Sequence, residues 1–319
     1  MARKTVVLTG ACGKIAGQLL PALEERYELV LLDARNTRGG SSLTIAPGET
    51  AGAVETVAGV HVINILDADR APLRALFAGA DAVVHCGFAQ PPADLHGTAQ
   101  LALNSAGGAD LANSSIDSEV MFQAEHDNVR MAFNVLQTAL EVGVRRVVMA
   151  SSNHASDYHE ELILAGLSDT VDPNGRALSD NYYGWAKIAY ENLGFVFACG
   201  KSQSPLENVM IRIGGPRESD VLAVPPGELV KVRRALGAYL SERDMQQLFI
   251  KSIETPDITD ENGVPFQIFY GISGNDHGFW SLANARKVIG YTPADNSAVH
   301  FAAEIAEHIA AAQSTAAKL

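Results

Sequence analysis

Apolar positions along the 319-residue chain follow two alternating periods. Short unbroken apolar runs at 5–9, 28–32, 61–65, 82–85, 146–150 and 208–213 have the length and β-branched content of strands buried on both faces. Between them, residues 15–26, 70–78, 120–142 and 182–198 repeat their apolar positions every three to four residues, as helices covering a core do. Ile15, Leu19, Leu20 and Leu23 form one such stripe. Strands alternating with helices predict a parallel sheet covered on both faces, because parallel neighbours need a crossover of helix length.

The pattern is interrupted twice. Residues 100–118 are rich in Ala, Gly, Ser and Asn, which predicts a surface insertion at about 90–118. Residues 214–228 carry Pro216, Pro225 and Pro226 directly after the 208–213 strand. The expected division is therefore residues 1–213 as a sheet-forming half and residues 214–319 as mainly a substrate lobe, intertwined with the first. That second part mixes helical pieces at 229–240, 243–252, 282–289 and 298–312 with one strand-like run at 266–270.

Hydrophobic residues at 47% and charged residues at 19% exclude a disordered or fibrous chain. Lys and Arg number 24 against 37 Asp and Glu, and the resulting net charge of −13 repels phosphate backbones and anionic lipid. Neither nucleic acid nor a membrane surface is an expected partner. Cys12, Cys86 and Cys199 are odd in number and show no CxxC or Cys/His ligand spacing, so the reading is a reducing cytoplasm, no disulfide framework and no metal. The apolar run at 5–8 is too short for a signal peptide, and nothing approaches the roughly 20 apolar residues of a membrane span.

Candidate chemistry begins where the first strand meets the first helix. Gly10, Cys12, Gly13, Lys14 and Ile15 lie in a glycine turn that lets backbone approach a pyrophosphate at the helix N-terminus. Asp33 ends the second strand about twenty residues on, where a carboxylate accepts ribose hydroxyls and repels a 2′-phosphate, favouring NAD over NADP. Arg35 and Arg38 are the nearby groups that would neutralise a phosphate if turned inward. Asp67 suits either adenine contact or a helix N-cap. His85, Cys86 and Gly87 end the fourth strand, where a small residue lets a cofactor lie against the backbone.

Tyr183 and Lys187 stand four residues apart, one above the other on one helix face. A neighbouring cation stabilises a phenolate, so Tyr183 can remove a hydroxyl proton as hydride leaves the same carbon. The pair alone also describes a surface Tyr beside a solvated Lys. Ser151 and Ser152, closing the 146–150 run at the carboxyl edge of the sheet where ligands bind in such folds, make the combination far more specific.

The order of the glycine turn, Asp33, Ser152, Tyr183 and Lys187 resembles the extended short-chain dehydrogenase/reductases, which include nucleotide-sugar epimerases and dehydratases. Ser151-Ser152-Asn153-His154, Tyr182-Tyr183-Gly184, Ile211-Arg212-Ile213-Gly214, Tyr270-Gly271-Ile272-Ser273 and Phe279-Trp280 are similar to the uronate dehydrogenases of that branch. The resemblance implies a Rossmann-type doubly wound α/β fold with a small C-terminal substrate lobe. It implies Tyr183 as base, Lys187 tuning it and holding the nicotinamide ribose, Ser152 on the reacting oxygen, and Asn128 supporting the proton relay. Ile213 would lie beside the cofactor, and Asn153, His154 and Gly214 beside the sugar. Arg234 aligns with the arginine that grips a uronate carboxylate, with Arg233 the competing candidate. The implied activity is NAD-dependent oxidation of a hexuronate at its anomeric carbon to an aldarolactone. A nucleotide-sugar epimerase or dehydratase is the alternative, and a non-catalytic NAD-binding sensor a third reading. Apolar residues on several faces of 120–142 and 182–198, where this superfamily builds a four-helix interface, imply a homodimer. Ala16 in the third glycine position, the 90–118 insertion and the long loop after Gly214 depart from the family pattern and leave substrate identity open.

Overall fold

The computed structural model describes residues 3–38, 54–89, 118–201 and 203–316. The predicted insertion at about 90–118 lies outside the described residues, except that Ser118 opens a helix. Seven parallel strands form the main sheet: β1 (Thr5–Thr9), β2 (Glu28–Asp33), β5 (Val60–Val62), β6 (Ala82–His85), β7 (Arg146–Ser152), β8 (Glu207–Ile213) and β9 (Phe266–Gly271). Their spatial order is β5-β2-β1-β6-β7-β8-β9, and every neighbouring pair runs parallel. A separate two-stranded ribbon pairs β3 (Thr37–Arg38) with β4 (Glu55–Thr56).

Helices cover both faces. α1 (Lys14–Arg26) turns Ala16, Leu19, Leu20 and Leu23 inward, where they pack with Val6, Leu8 and Leu31. Burying each such leucine contributes about 2 kcal/mol. α2 (Ala71–Phe77), α3 (Ser118–Glu141) and α5 (Tyr182–Cys199) supply the second layer, in which Val135, Leu136, Ala186 and Tyr190 meet Val83, Val147 and Met210. α4 is the short helix Asp157–Leu164.

The strand order turns back between β1 and β6, so the connections leaving their carboxyl ends go to opposite faces and frame the crevice where such folds bind ligands. Gly10 follows β1 there with φ +70°, and a Cβ on it would lie 2.6 Å from the backbone carbon of Cys86. Only glycine fits that approach.

Several expectations need correction. The third sheet strand ends at Val62 rather than running to 65, with Ile63 giving only its N–H to Asp33 O. The helix expected at 298–312 is two helices, α10 (Ser297–His300) and α11 (Ala302–Ala316), because Phe301 leaves the helix to bury against Tyr239. The stretch 214–228 holds a short helix, α6 (Ser219–Leu222). After it come α7 (Leu229–Ala238), α8 (Glu242–Glu254) and α9 (Ala283–Ile289). β9 completes the main sheet beside β8, and α8 packs on α1, where Gln246 donates to Gln18 O at 2.7 Å. No helix among the described residues is long and apolar enough to cross a membrane.

Candidate active site

The glycine turn is held open from two sides. Asp33 accepts the Cys12 N–H at 2.9 Å on one carboxylate oxygen and the Arg35 N–H at 3.2 Å on the other. Arg38 lies across Gly17 and donates to Ala11 O at 3.0 Å. α1 starts at N-cap Gly13 with no side-chain cap and no acidic residue in its first turn. An uncapped 13-residue helix behind a glycine turn, with a carboxylate at the end of the next strand, is the donor and acceptor set a dinucleotide requires. These residues fit NAD.

Two other residues of this end sit otherwise than expected. The His85 ring is 1% exposed and bonded to Thr9 Oγ1 at 2.6 Å, so its side chain belongs to the core and only backbone at 85–87 can face a cofactor. Asp67 is exposed and takes a hydrogen bond from Asn64 Nδ2, while Asp69 receives the Ala71 N–H at the start of α2. The capping role thus falls to Asp69.

The reacting end gathers residues from β7, α3 and α5. β7 runs straight into a 3₁₀ turn, Asn153–Ser156, with Ser152 Oγ accepting the His154 N–H at 3.3 Å. Asn181 caps α5 by accepting the Gly184 N–H at 2.8 Å, and gives its own amide to Asp157 at 2.8 Å. Gly184 is required because a Cβ there would strike His154 O at 2.1 Å. That contact brings the Tyr183 phenol beside Ser152, whose hydroxyl pulls the phenol's pKa down, and its ring to 5.5 Å from the His154 ring. Lys187, 5% exposed, lies 5.3 Å from the Tyr183 ring centre and donates to Ala150 O at 3.3 Å.

The electrostatics differ from the simple expectation that Lys187 makes the phenol acidic. Burial dominates and holds the Tyr183 phenol above its ordinary value, reinforced by Glu125 and Asp157 and opposed by the Ser152 hydroxyl and Arg217. Burial also brings Lys187 down to about 8, against the pull of Glu125, Cys86 and Glu191. Glu125, 2% exposed on α3, is pushed up to about 7 by burial, opposed by Lys187 and by a hydrogen bond from Asn128. Asn128 itself clamps the chain leaving β6: it accepts the Ala89 N–H at 2.7 Å and donates to Ala89 O at 2.9 Å.

Arg234 comes to the same end on α7, while Arg233 is exposed. The Arg234 fork gives Nε and Nη2 to the two oxygens of Glu160 at 2.9 and 3.2 Å. Its guanidinium lies 5.8 Å from the Trp280 ring centre. Asp157 bonds His154 Nδ1 at 2.7 Å; burial would raise its carboxyl, but His154, Arg234 and Asn181 hold it below the usual range. Gly214 is fixed by packing, since a Cβ would lie 2.2 Å from Ala238 O, and Ile213 is buried at the end of β8. Asn153 is 2% exposed. Asp157, Glu160, Asn181, Glu125 and Glu191 were not singled out by sequence reasoning. Only Asn181, a capping residue type just before a helical run, carried a readable signal.

A parallel sheet with its crevice beside the glycine turn, and Ser152, Tyr183 and Lys187 gathered from β7 and α5, is the arrangement that the resemblance to the extended short-chain dehydrogenase/reductases implied. No family model matches the chain. It is similar to proteins named uronate dehydrogenase and to NAD-dependent sugar dehydrogenases. It is 28% identical over 300 residues to an NAD-dependent glucose-6-phosphate dehydrogenase of Haloferax volcanii, covering 92% of this chain and 94% of that one. A uronate dehydrogenase of Pseudomonas putida is 26% identical over 312 residues, 96% and 90% of the two chains. An L-arabinose 1-dehydrogenase (NAD(P)(+)) of Haloferax volcanii is 27% identical over 300 residues, 92% and 97%. In fold, the crystal structure of uronate dehydrogenase from Agrobacterium tumefaciens superposes with a TM-score of 0.62 at 24% identity, over 96% of this chain and 90% of that chain.

Proposed function

We propose that the protein is an NAD-dependent dehydrogenase that oxidises an aldose or aldose acid at its anomeric carbon. The observation that carries this reading is Lys187 one turn beyond Tyr183 on α5, its ammonium 5.3 Å from the Tyr183 ring centre, with Ser152 beside the phenol at the end of β7 and at the same sheet edge as the glycine turn. Bound in its oxidised form, NAD would supply the hydride acceptor and a positive charge, and a cyclic sugar would leave as its lactone with NADH and one proton released. Tyr183 receives the anomeric hydroxyl proton, and Ser152 orients the same oxygen. Burial keeps the Tyr183 phenol protonated, so its action as a base depends on positive charge gathered around it. Asn128 sets the backbone beside the pair by holding Ala89.

The relatives are named for a sugar phosphate, a uronate and a neutral pentose, so dehydrogenation of a sugar is common to them and the substrate charge is not. A hexuronate is the substrate that the resemblance alone suggests. An epimerase acting on a nucleotide sugar would need cations for a diphosphate; of Arg217, Lys231, Arg233 and Arg234, three face a carboxylate of their own surroundings and Arg233 is exposed on α7. The apolar patch of Phe122, Tyr182 and Trp185, all at least one-third exposed, supports a homodimer through α3 and α5. The test is absorbance at the NADH band with purified protein, NAD and a panel of aldoses and uronates. Steady NADH release with at least one sugar is expected; no release with any of them overturns the reading.

A further inference from the structure

We propose that the site selects a neutral aldose over a hexuronate, because the arginine suited to a substrate carboxylate is already occupied by Glu160. This rests on the sugar-dehydrogenase reading above and extends it to the charge of the substrate. A guanidinium recognises a carboxylate through two parallel N–H bonds, and Arg234 already makes that pair within the protein, with Nε and Nη2 on the two oxygens of Glu160. Glu160 is 5% exposed and the Arg234 side chain 19%, so water screens the pair little. A substrate carboxylate taking the same fork would strand Glu160 as a buried, uncompensated charge.

The groups around the pair point the same way. Asp157 lies three residues before Glu160 on α4 and is held ionised by its partners His154 and Asn181. The Arg234 guanidinium is thus shared with Glu160 while Asp157 is held by the His154 ring at 2.7 Å, and Arg217, a further nearby cation, lies 2.8 Å from Asp220. Among the described residues the second Asp157 oxygen, Oδ1, is buried with no hydrogen-bond partner, and so is Nδ2 of Asn153, a residue 2% exposed on the turn after Ser152. One is an acceptor and the other a donor. A sugar hydroxyl both donates and accepts and so matches this set, whereas an ionised carboxylate only accepts and is repelled by Asp157 and Glu160.

The experiment measures kcat/KM with NAD for L-arabinose, D-xylose, D-galactose and D-glucose against D-galacturonate and D-glucuronate. At least one neutral aldose is expected to exceed both uronates by about 100-fold or more. A uronate equal to or better than every aldose overturns the proposal and leaves the dehydrogenase reading intact. Glu160→Gln, which keeps the shape but frees the Arg234 charge, should raise the uronate-to-aldose ratio by about 10-fold or more. Asp157→Asn should move the ratio in the same direction if Glu160→Gln does not fold; an unchanged ratio in every folded variant also overturns the proposal. Protein that binds NAD by calorimetry yet oxidises none of these sugars overturns the dehydrogenase reading, and the selectivity with it.

Discussion

Glu191 and Arg212 form a two-pronged ion pair in the core, Nε to Oε1 at 2.8 Å and Nη2 to Oε2 at 2.7 Å, with the residues 3% and 1% exposed. The pair is also a scaffold for the reacting end. Ser151, the neighbour of Ser152, donates to Glu191 at 2.8 Å. Arg212 donates to the Tyr270 hydroxyl, which donates to Ser156, which donates to Asn153 O at 2.8 Å. Both ends of the turn that carries Asn153 and His154 are thus tied to one ion pair.

Removing one member leaves a buried charge without compensation. Arg212→Met is expected to cost about 3–5 kcal/mol of folding free energy, and the double change Glu191→Leu with Arg212→Met to cost less than the single one. Denaturant unfolding of the two variants checks this. A double variant less stable than Arg212→Met would show that the pair acts through shape and packing rather than through paired charge.

Tyr183→Phe keeps the ring that packs at 5.7 Å against Phe88 and at 5.5 Å against His154, and removes only the hydroxyl beside Ser152. Turnover should fall by about 10²–10⁴-fold, the usual worth of a positioned acid or base, with the NAD dissociation constant within a few-fold of the parent. Steady-state rates and calorimetry separate the two effects. Retained turnover would remove Tyr183 from the chemistry.

Gly10→Ala places a methyl group 2.6 Å from the Cys86 backbone at a φ of +70°. Strain of this kind costs about 1–3 kcal/mol, and relief requires the β1 and β6 ends to part. The variant should therefore lose both thermal stability and NAD affinity. Gly13→Ala, whose Cβ meets only Gly10 O at 3.0 Å and whose φ is −75°, should lose less stability. Melting curves with and without NAD compare the two, and equal stability losses would contradict the geometry.

How far the site could be read from the sequence follows from how local each feature is. Gly10, Gly13 and Asp33 sit within one strand–helix–strand unit, where spacing alone sets their places. Ser152, Tyr183 and Lys187 end a buried strand or begin a long helix, so periodicity locates them too. Glu160 and Arg234 are 74 residues apart, and their pairing depends on how α4 docks against α7, which no local period encodes. Glu125 and Glu191 carry no periodic signal that marks them as buried, yet both are, with Glu191 paired to Arg212 on β8 and Glu125 accepting from Asn128. The cation beside Tyr183 was legible, but the degree of burial that outweighs it was not.

His85 supplies a pH dependence whose sign can be worked out. Burial lowers its pKa to about 3, and the charge of Lys187 acts in the same direction. Between that value and the unfolded value of about 6.5, the unfolded chain binds the proton and the folded chain does not. Folding stability therefore rises with pH across this window and is lost as pH falls through it, by at most about 1.4 kcal/mol per pH unit from this one group. Above it the contribution is constant. Glu125 acts oppositely: its carboxyl, raised to about 7, binds a proton in the folded state that the unfolded chain has released, so its share of stability falls as pH rises towards 7. The two are separated by difference. His85→Asn removes one titration and leaves the other, and its stability relative to the parent should improve steadily from pH 6.5 down to pH 4. Urea unfolding at half-unit steps gives both curves. Parallel curves would mean that His85 is protonated in the folded core and that the Thr9 hydroxyl, 2.6 Å from Nδ1, accepts its proton.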